Sequence, residues 1–371
     1  MKKRHGSAIK STPLPRHQMS APNPFLQLKE NSFWEKSDTP IWIASSFFLQ
    51  RNLASDPFPL KMDSGNSQRT LGALKQSLLS LEMLENPQFF EFDEIKAAEK
   101  EFLLEHFLAT CESQNPECKS GLVIDNSGTF LAMINGEDHL VLHSIESHSG
   151  WKEAWEKLTD IEDFLAKNHT FAYSNKFGYL TSQLSNSGTA LTVQAFLHLP
   201  CLVELDQLDE VLIKDLDEEV QANGLSGTYD FVGDIVIIQN RFCLGLTEDH
   251  ILEAVHKTAT KLVSHEKNLR AHLKETPDAL IVDKISRAIG LLKHSYQIDT
   301  KEALNAISFI KLGIDLEWIE GLTDRDINKI FFEIRRGHLA LSTKEEIPQE
   351  KLAQKRAEFL QSALKPIVMK L

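Results

Sequence analysis

The pattern of apolar and polar positions divides the chain into a mixed first part and a helical last part. Up to about residue 245, strand-like apolar runs are interspersed with segments of helical spacing. After Gly245, five successive segments have the spacing of amphipathic helices: 247–276, 278–294, 300–311, 323–335 and 349–366. The pattern predicts an α+β domain followed by an all-helical domain, with a boundary near residue 250.

Strand signals in the first part alternate with turn residues. The turn Asn126-Ser127-Gly128 between two alternating segments predicts an antiparallel meander, and Gly233-Asp234 predicts the turn of a hairpin over 228–239. The other predicted strands cover 40–49, 122–125, 130–134, 139–145, 170–173 and 191–199. Helices are predicted over 71–84, 92–110 and 151–165.

Composition is that of an ordinary globular protein. The 371 residues, 42% of them apolar and 25% charged, allow two domains with a sizeable core. No apolar run reaches the roughly 18 residues of a membrane span, and the first residues lack the apolar segment of a secretory signal. We therefore expect a cytoplasmic protein without a membrane partner.

Charge is distributed unevenly. The net charge of −13 argues against a nucleic-acid partner, because phosphate-binding proteins usually carry a basic face. Residues 1–23 have a positive charge balance instead and are predicted to be a disordered basic tail. Their basic residues are Lys2, Lys3, Arg4, Lys10 and Arg16, with no acidic residue among them. A solvated tail is favoured over a role in partner binding or export.

Metal chemistry has little support in the sequence. The four cysteines form no CxxC pair and no zinc-ribbon spacing; they are Cys111, Cys118, Cys201 and Cys243. His139, His143 and His148 have no cysteine or carboxylate set to complete a site, so we predict no metal centre. Phosphate-loop, dinucleotide and hydrolase motifs are also absent from the sequence.

Three segments resemble a known family. They are Asn135-Gly136-Glu137-Asp138-His139-Leu140, Gly178-Tyr179-Leu180-Thr181 and Asn186-Ser187-Gly188-Thr189. With other anchors between about residues 24 and 364, their order resembles the ATP:guanido phosphotransferase (phosphagen kinase) family, and within it the bacterial protein-arginine kinases. The resemblance implies a guanidino-kinase fold, with an antiparallel sheet flanked by helices in residues 24–250 and a helical domain in residues 251–371.

The resemblance also implies a chemistry. In this family arginines clamp the phosphates of ATP, a carboxylate orients or deprotonates the guanidinium, and a glycine-bearing loop closes over the substrate. Phosphoryl transfer depends on positioning and on neutralising charge at the phosphate oxygens, which bidentate arginine does best. Whether this sequence keeps those arginines therefore decides what activity the resemblance can support.

Five positions that match family arginines carry other side chains here. Residues 44–52 align with the family segment SSRIRxARN, in which only Arg51 remains, and its family counterpart looks structural. That segment contains two of the five positions. The family segments NEEDHxR, LTxCPxNxGTGxR and VRGxxGE contain one each, and the match to VRGxxGE is looser and could be shifted by one residue. The five degenerate nucleotide-binding positions are Ser46, Phe48, Val141, Thr192 and Gln221.

The sequence retains only some of the residues that the family uses near its substrate. Glu137 retains a glutamate of NEEDHxR and is the candidate catalytic base, although a solvated or hydrogen-bonded polar residue is the other reading. Gln183 stands where the family has a cysteine, and Ser226 where it has a second carboxylate. The remaining predicted substrate-loop residues are Asn186, Gly188 and Thr189.

In the helical part, the family's Arg-Asp pair ahead of an RAE sequence is used to recognise phosphoarginine. The sequence keeps Arg356-Ala357-Glu358 but has Leu352-Ala353 at the pair. This change argues against phosphoarginine recognition. The helices could serve dimerisation or partner docking, or they could be present only because the fold requires them.

These substitutions lead to a hypothesis of a pseudokinase. Losing five charge-assisted hydrogen-bond partners removes on the order of 7 to 15 kcal/mol of phosphate binding. We therefore expect no cofactor and a protein that acts by binding another protein. The alternative is an active protein-arginine kinase that uses ATP, Mg²⁺ and Glu137 as base; a nucleic-acid or membrane adaptor that uses the basic tail is a third, weaker reading.

The resemblance also suggests partners. They are a zinc-binding activator protein of the kind that accompanies active relatives, or a component of a chaperone-protease system. A homo-oligomer is expected as well. The sequence alone does not choose among them.

Overall fold

The computed structural model describes residues 24–36, 39–107, 117–147, 150–342 and 347–370. The predicted basic tail, Cys111 and His148 lie outside the described residues. The helices within the described part are α1 (Pro24–Glu30), α2 (Ser64–Leu79), α3 (Ala97–Phe107), α4 (Trp151–Ala166), α5 (Pro200–Glu204), α6 (Leu208–Asp215), α7 (Glu248–Glu275), α8 (Ala279–His294), α9 (Thr300–Asp315), α10 (Asp324–Glu333), α11 (Arg336–Ser342) and α12 (Leu352–Ala363).

The strands assemble mainly into one large sheet. They are β1 (Trp42–Arg51), β2 (Gln88–Glu91), β3 (Gly121–Ile124), β4 (Phe130–Ile134), β5 (Leu140–Glu146), β6 (Tyr173–Ser174), β7 (Gly178–Tyr179), β8 (Leu191–His198), β9 (Val220–Asn223), β10 (Ile235–Asn240), β11 (Ile319–Glu320) and β12 (Val368–Met369). Eight of them form an antiparallel sheet in the order β2-β3-β4-β5-β1-β8-β10-β9. The predicted α+β class and the meander β3-β4-β5 are confirmed.

Two hydrophobic cores lie on opposite faces of this sheet. Helices α2, α4 and α7 cover one face, where Leu74, Leu158 and Val255 pack against strand residues such as Phe47. The other face packs against α3 and the C-terminal helices through residues such as Ile307. Since α7 packs on β8 and β10, this long helix belongs to the core of the sheet. The domain boundary near residue 250 stays a prediction.

The predicted hairpin over 228–239 is wrong. Strand β10 pairs with β9, and the segment between them is a loop in which the Gly224 amide donates to the Thr228 carbonyl oxygen at 2.7 Å. Gly233 and Asp234 do form a turn, with φ of 66° and 54°, but it precedes β10 and does not join two strands. The alternation of residues 228–232 therefore belongs to a loop.

One predicted strand and several helix boundaries also need correction, because only Tyr173 of the predicted strand 170–173 lies in a strand, β6. Helix α2 begins seven residues before the predicted 71, because Asp63 caps it by accepting from the Asn66 amide at 2.8 Å. The predicted helix 92–110 begins at Ala97, since residues 88–91 pair with β3 and 92–94 form a 3-10 turn. The C-terminal part is helical, but it also contains the unpredicted helix α11 and the short ladder β11-β12.

A chain of buried polar groups joins the sheet to helix α9. The Ser308 hydroxyl donates to the Asp234 carboxylate and lies 2.7 Å from His198 Nε2. Arg270 of α7 donates to the His198 carbonyl oxygen at 3.0 Å and pairs with Glu266. Burial raises the pKa of Asp234 to about 7. The folded protein therefore holds this proton through much of the acidic range.

We predict that Asp234→Asn stabilises the protein at high pH. The folded-state pKa of Asp234 lies above its ordinary value, so the aspartate contributes stability at low pH that is lost as the pH rises through about 7. Asparagine has no charge to bury and tolerates the positive φ. Urea unfolding should give an advantage for the variant that grows between pH 5 and pH 8.5, up to about 4 kcal/mol.

Asp206→Asn is the matched control, because Asp206 also has a positive φ, of 54°, but is exposed. Its effect should be small and independent of pH. An Asp234→Asn advantage that stays constant from pH 5 to pH 8.5 would contradict the assignment of a buried, protonated carboxyl.

Candidate functional site

The five positions that the alignment matches to family arginines lie on one face of the large sheet. Ser46 lies opposite Gln194, which lies opposite Gln239, which in turn lies opposite Gln221, so a single row crosses β1, β8, β10 and β9. Directly opposed residues of antiparallel strands share a face. By the same rule a second row contains His143, Phe48 and Thr192, and a third contains Val141 and Gln50.

An aromatic stack occupies the middle of this face. The Phe48 ring lies on the His143 imidazole with centroids 4.0 Å apart and planes 7° apart. The Ser46 hydroxyl is fully buried and lies 2.6 Å from His143 Nε2, while the Phe107 ring of α3 makes an edge contact with the imidazole, with centroids 5.5 Å apart. Burial lowers the pKa of His143 to about 3, so the imidazole is neutral. The stack supplies no positive charge.

The remaining side chains of the three rows are uncharged. The Gln194 side-chain amide donates to Gln239 Oε1 at 2.8 Å, and Gln221 continues the same row. No side chain in the three rows is a lysine or an arginine. A polyanion on this face would therefore meet aromatic, aliphatic and amide groups.

The structure brings Glu137 and the predicted substrate loop together. Glu137 lies in the turn between β4 and β5, and its Oε1 accepts from Gln183 Nε2 at 2.6 Å. The Ser182 hydroxyl donates to the Glu137 carbonyl oxygen at 2.7 Å. Neighbouring Asp138 is buried and accepts from the Ser182 amide at 2.7 Å. The carboxylate of the candidate base is thus tied to the residue that replaces the family cysteine.

Backbone contacts hold the remainder of the loop. Tyr179 and Gly188 exchange two hydrogen bonds, of 2.8 and 3.0 Å. Gly188 has a φ of 121°, and a Cβ there would lie 2.3 Å from the Cys243 carbonyl oxygen, so only glycine fits. Thr189 donates its amide to the same carbonyl at 3.2 Å, and the Asn186 side chain accepts from Ser185 at 3.2 Å.

Ser226 lies apart from this cluster. It occupies the exposed loop between β9 and β10, and its hydroxyl lies 2.7 Å from that of Thr228. The described residues place no hydrogen bond between Ser226 and Glu137. The structure therefore unites Glu137 with Gln183 but does not join Ser226 to them.

The histidines and cysteines play structural parts. His139 is buried, accepts from the Leu53 amide at 3.0 Å through Nδ1 and contacts the Pro57 carbonyl oxygen at 3.0 Å through Nε2. Cys118, Cys201 and Cys243 are free and buried. Within the described ranges, no group of three or more His, Cys, Asp or Glu side chains is arranged to hold a metal ion.

Arg51, the arginine that the alignment retains, faces away from the three rows. Its guanidinium is buried, donates to Glu162 Oε1 at 2.5 Å and to the Thr189 carbonyl oxygen at 3.1 Å, and lies 3.5 Å from the Tyr179 ring centroid. Glu248 of α7 lies 3.7 Å away. These contacts tie β1 to α4, α7 and the substrate loop, which is a structural role.

Arg356 is likewise structural in the C-terminal part. It is buried and donates to the carbonyl oxygens of Ile334 and Ile298, both at 2.8 Å. Leu352, at the position of the family arginine, is buried among the C-terminal helices.

Sequence reasoning missed the residue at the centre of the face, His143. It had been considered only as a metal ligand, although it lies two positions after Val141 on β5 and must share its face. That alternation was the signal that could have placed it beside Phe48. Glu162, the partner of Arg51, had no comparable signal because α4 is distant in sequence.

We predict that Arg51→Met destabilises the fold by at least about 3 kcal/mol, because it leaves the buried Glu162 carboxylate without its partner. Urea unfolding followed by circular dichroism measures the loss. Arg287→Met is the control: its ion pair with Asp283 is exposed, so its cost should stay below about 1 kcal/mol. Equal stability of the two variants would contradict the structural role of Arg51.

The antiparallel sheet, its helical C-terminal part and the glycine-bearing loop beside Glu137 define a guanidino-kinase scaffold. The chain belongs to the ATP:guanido phosphotransferase family: residues 71–269 match the family model of the ATP:guanido phosphotransferase C-terminal catalytic domain. Residues 278–370 match the model of the protein-arginine kinase McsB C-terminal domain. Together the two matches make the chain a protein-arginine-kinase-like member of that family.

Relatives and solved structures agree with this assignment. A protein-arginine kinase of Chlamydia pneumoniae is 34% identical over 333 residues, which cover 88% of this chain and 92% of the relative. Another, of Halothermothrix orenii, is 30% identical and covers 91% and 97%. The crystal structure of a lombricine kinase matches with a TM-score of 0.55 at 21% identity, covering 70% of this chain and 74% of the other, which supports the fold alone.

The described residues include no helix that is both long enough and apolar enough to cross a membrane.

Proposed function

We propose that this protein is a pseudokinase, a protein-arginine-kinase scaffold that acts by binding other proteins. The observation that carries the proposal is the Phe48–His143 stack, which lies where the alignment places a phosphate-binding arginine. The neutral rows around it have no cation to replace the missing arginines.

The free energy of phosphate binding supports this proposal. A triphosphate must exchange strong hydration for contacts in the protein, and charge-assisted hydrogen bonds of about 1.5 to 3 kcal/mol each normally offset that cost. Here the phosphates would meet an aromatic ring at Phe48, a methyl-bearing side chain at Val141 and the amide of Gln194. Burying polar oxygens against such groups costs free energy, so ATP held in this way would bind very weakly.

A second candidate function is an active protein-arginine kinase that uses ATP and Mg²⁺. The names of the relatives and the contact between Glu137 and Gln183 favour it. In that case Glu137 would take the proton from the guanidinium, with Gln183 holding its carboxylate. The phosphates would need cations from outside the three rows.

The pseudokinase proposal includes partners of a defined kind. Family resemblance suggests a zinc-binding activator protein, a component of a chaperone-protease system or a second copy of this chain. A cytoplasmic location would suit each of them.

We predict no measurable affinity for Mg²⁺-ATP in isothermal titration calorimetry up to millimolar concentration. Adenosine is the control, because it lacks the triphosphate and any weak contact with its base or sugar would appear there as well. ATP should bind no better than adenosine. A micromolar dissociation constant for Mg²⁺-ATP would overturn the pseudokinase proposal.

Phosphoryl transfer distinguishes the two candidate functions. The protein is incubated with γ-labelled ATP and an arginine-rich protein, and we expect no acid-labile label on the acceptor. If label appears in the wild type and in Glu153→Gln, an exposed control on α4, but disappears in Glu137→Gln, the active kinase replaces our proposal.

A further inference from the structure

We propose that the junction between helices α3 and α11 is an acid-sensitive contact, which opens when two buried imidazoles, His106 and His338, take up protons. Helix α3 belongs to the first part of the chain, and α11 belongs to the C-terminal part, more than two hundred residues later. Opening of this junction would release one contact between the two parts. The inference goes beyond the proposed function and does not depend on it.

One carboxylate joins the two helices. Glu105 of α3 accepts from the backbone amides of Gly337 and His338, both at 3.1 Å, and its Oε2 lies 2.9 Å from His338 Nδ1. Because a carboxylate only accepts hydrogen bonds, His338 carries its proton on Nδ1. A Cβ added at Gly337 would lie 2.4 Å from the Phe102 amide nitrogen, so the helices cross in close contact. The junction therefore depends on a few groups at one crossing point.

The second imidazole, His106, lies next to His338. The two rings are nearly parallel, with centroids 6.1 Å apart and planes 14° apart, and both side chains are fully buried. His106 donates from Nε2 to the Gly128 carbonyl oxygen at 2.8 Å. Its Nδ1 and the Nε2 of His338 have no hydrogen-bond partner among the described residues. Each ring therefore has one basic nitrogen that can take a proton, with no acceptor for the resulting N–H.

Aromatic side chains surround the pair. The Trp34 ring lies 5.0 Å from that of His106 and 5.7 Å from that of His338, and the Phe102 ring lies 5.2 and 4.6 Å from them. An imidazolium placed here would lose its hydration without gaining a hydrogen bond, which costs free energy. Burial accordingly lowers the pKa of His106 to about 3 and lowers that of His338 well below its ordinary value.

Charged neighbours do not remove this cost. After burial, Arg335 and Lys29 are the causes that lower the pKa of His338, since like charges disfavour its protonated form. Glu105 favours a charged His338, but burial raises the pKa of Glu105 itself. Acid therefore weakens both sides of the contact between them. The other charged or titratable groups around the junction are His143, Glu101 with its partner Arg336, Glu333 with its partner Lys29, and Arg356.

The pH dependence follows from the direction of these shifts. Both histidines have folded-state pKa values below the ordinary 6.5, so the closed junction is fully stable above pH 6.5 and loses stability as the pH falls below it. Each histidine that opening exposes to water should raise the opening constant about tenfold between pH 7.5 and pH 5.5. The two together should raise it about a hundredfold.

Hydrogen–deuterium exchange of the full chain, followed by mass spectrometry, tests the proposal. Exchange is measured at pH 7.5 and pH 5.5 and corrected for the intrinsic rate. Peptides from α11 should lose protection about a hundredfold at the lower pH. Peptides from α9, which lies in the core of the C-terminal part, should keep their protection, and this separates a local opening from global unfolding.

His106→Gln/His338→Asn removes the titration but keeps the donors. A glutamine amide can replace Nε2 of His106, and an asparagine amide can replace Nδ1 of His338, while neither takes a proton. Protection of α11 in this variant should change less than about threefold between the two pH values. His294→Gln is the matched control, because His294 is exposed on α8. It should respond to acid as the wild type does.

Trp34 allows a second measurement in the unsubstituted protein. Labelling with 5-fluorotryptophan gives one fluorine resonance for each of the five tryptophans, and Trp34→Phe assigns the relevant one. Since Trp34 touches both imidazoles, its resonance should shift or broaden between pH 7.5 and pH 5.5. Trp318, which follows α9, should show no such change.

Unchanged protection of α11 at pH 5.5, or an equal loss in α9, would overturn the proposal. A response that persists in the double variant would belong to another group, such as Glu105, and would contradict the role of the imidazoles. So would a response that disappears in His294→Gln. None of these outcomes bears on ATP binding, and tight ATP binding would refute the pseudokinase proposal without affecting the junction.

Discussion

Strand β1 is the constraint on which the site depends. It pairs with β5 on one side and with β8 on the other. Its register therefore determines which side chains of these strands point to each face of the sheet. Phe47, Leu49 and Arg51 point into the helix-covered core, while Ser46, Phe48 and Gln50 alternate onto the other face. A one-residue slip would exchange the two sets. The pairing therefore preserves the geometry of a guanidino kinase even where the side chains have changed.

The alignment could name residues of the site because matched segments are local properties of the sequence. It singled out Ser46, Phe48, Val141 and Thr192, but their common face follows from the strand pairing of the structure. Those positions are adjacent across the sheet because strand pairing is regular. The contact between Glu137 and Gln183 was not predicted, although both residues had been named. Their chemical roles remain predictions.

What sequence could not supply was tertiary context. The alternating residues 228–232 suggested a strand, but Asp234 turns the chain and is held by Ser308 from a distant helix. Helix α11 has only seven residues, and its first amides donate to Glu105 of α3, at 3.1 Å for both Gly337 and His338. A helix capped by a side chain more than two hundred residues away carries no local signal.

The burial of Ser46 limits which substitutions this position tolerates. Its hydroxyl lies against His143 within the Phe48–His143 stack, so an arginine introduced at this position would bring an unpaired guanidinium into a closed interior. Such a charge costs several kcal/mol until the surrounding side chains are also replaced. A mutational route that places arginine here therefore requires coordinated substitutions at Phe48 and His143.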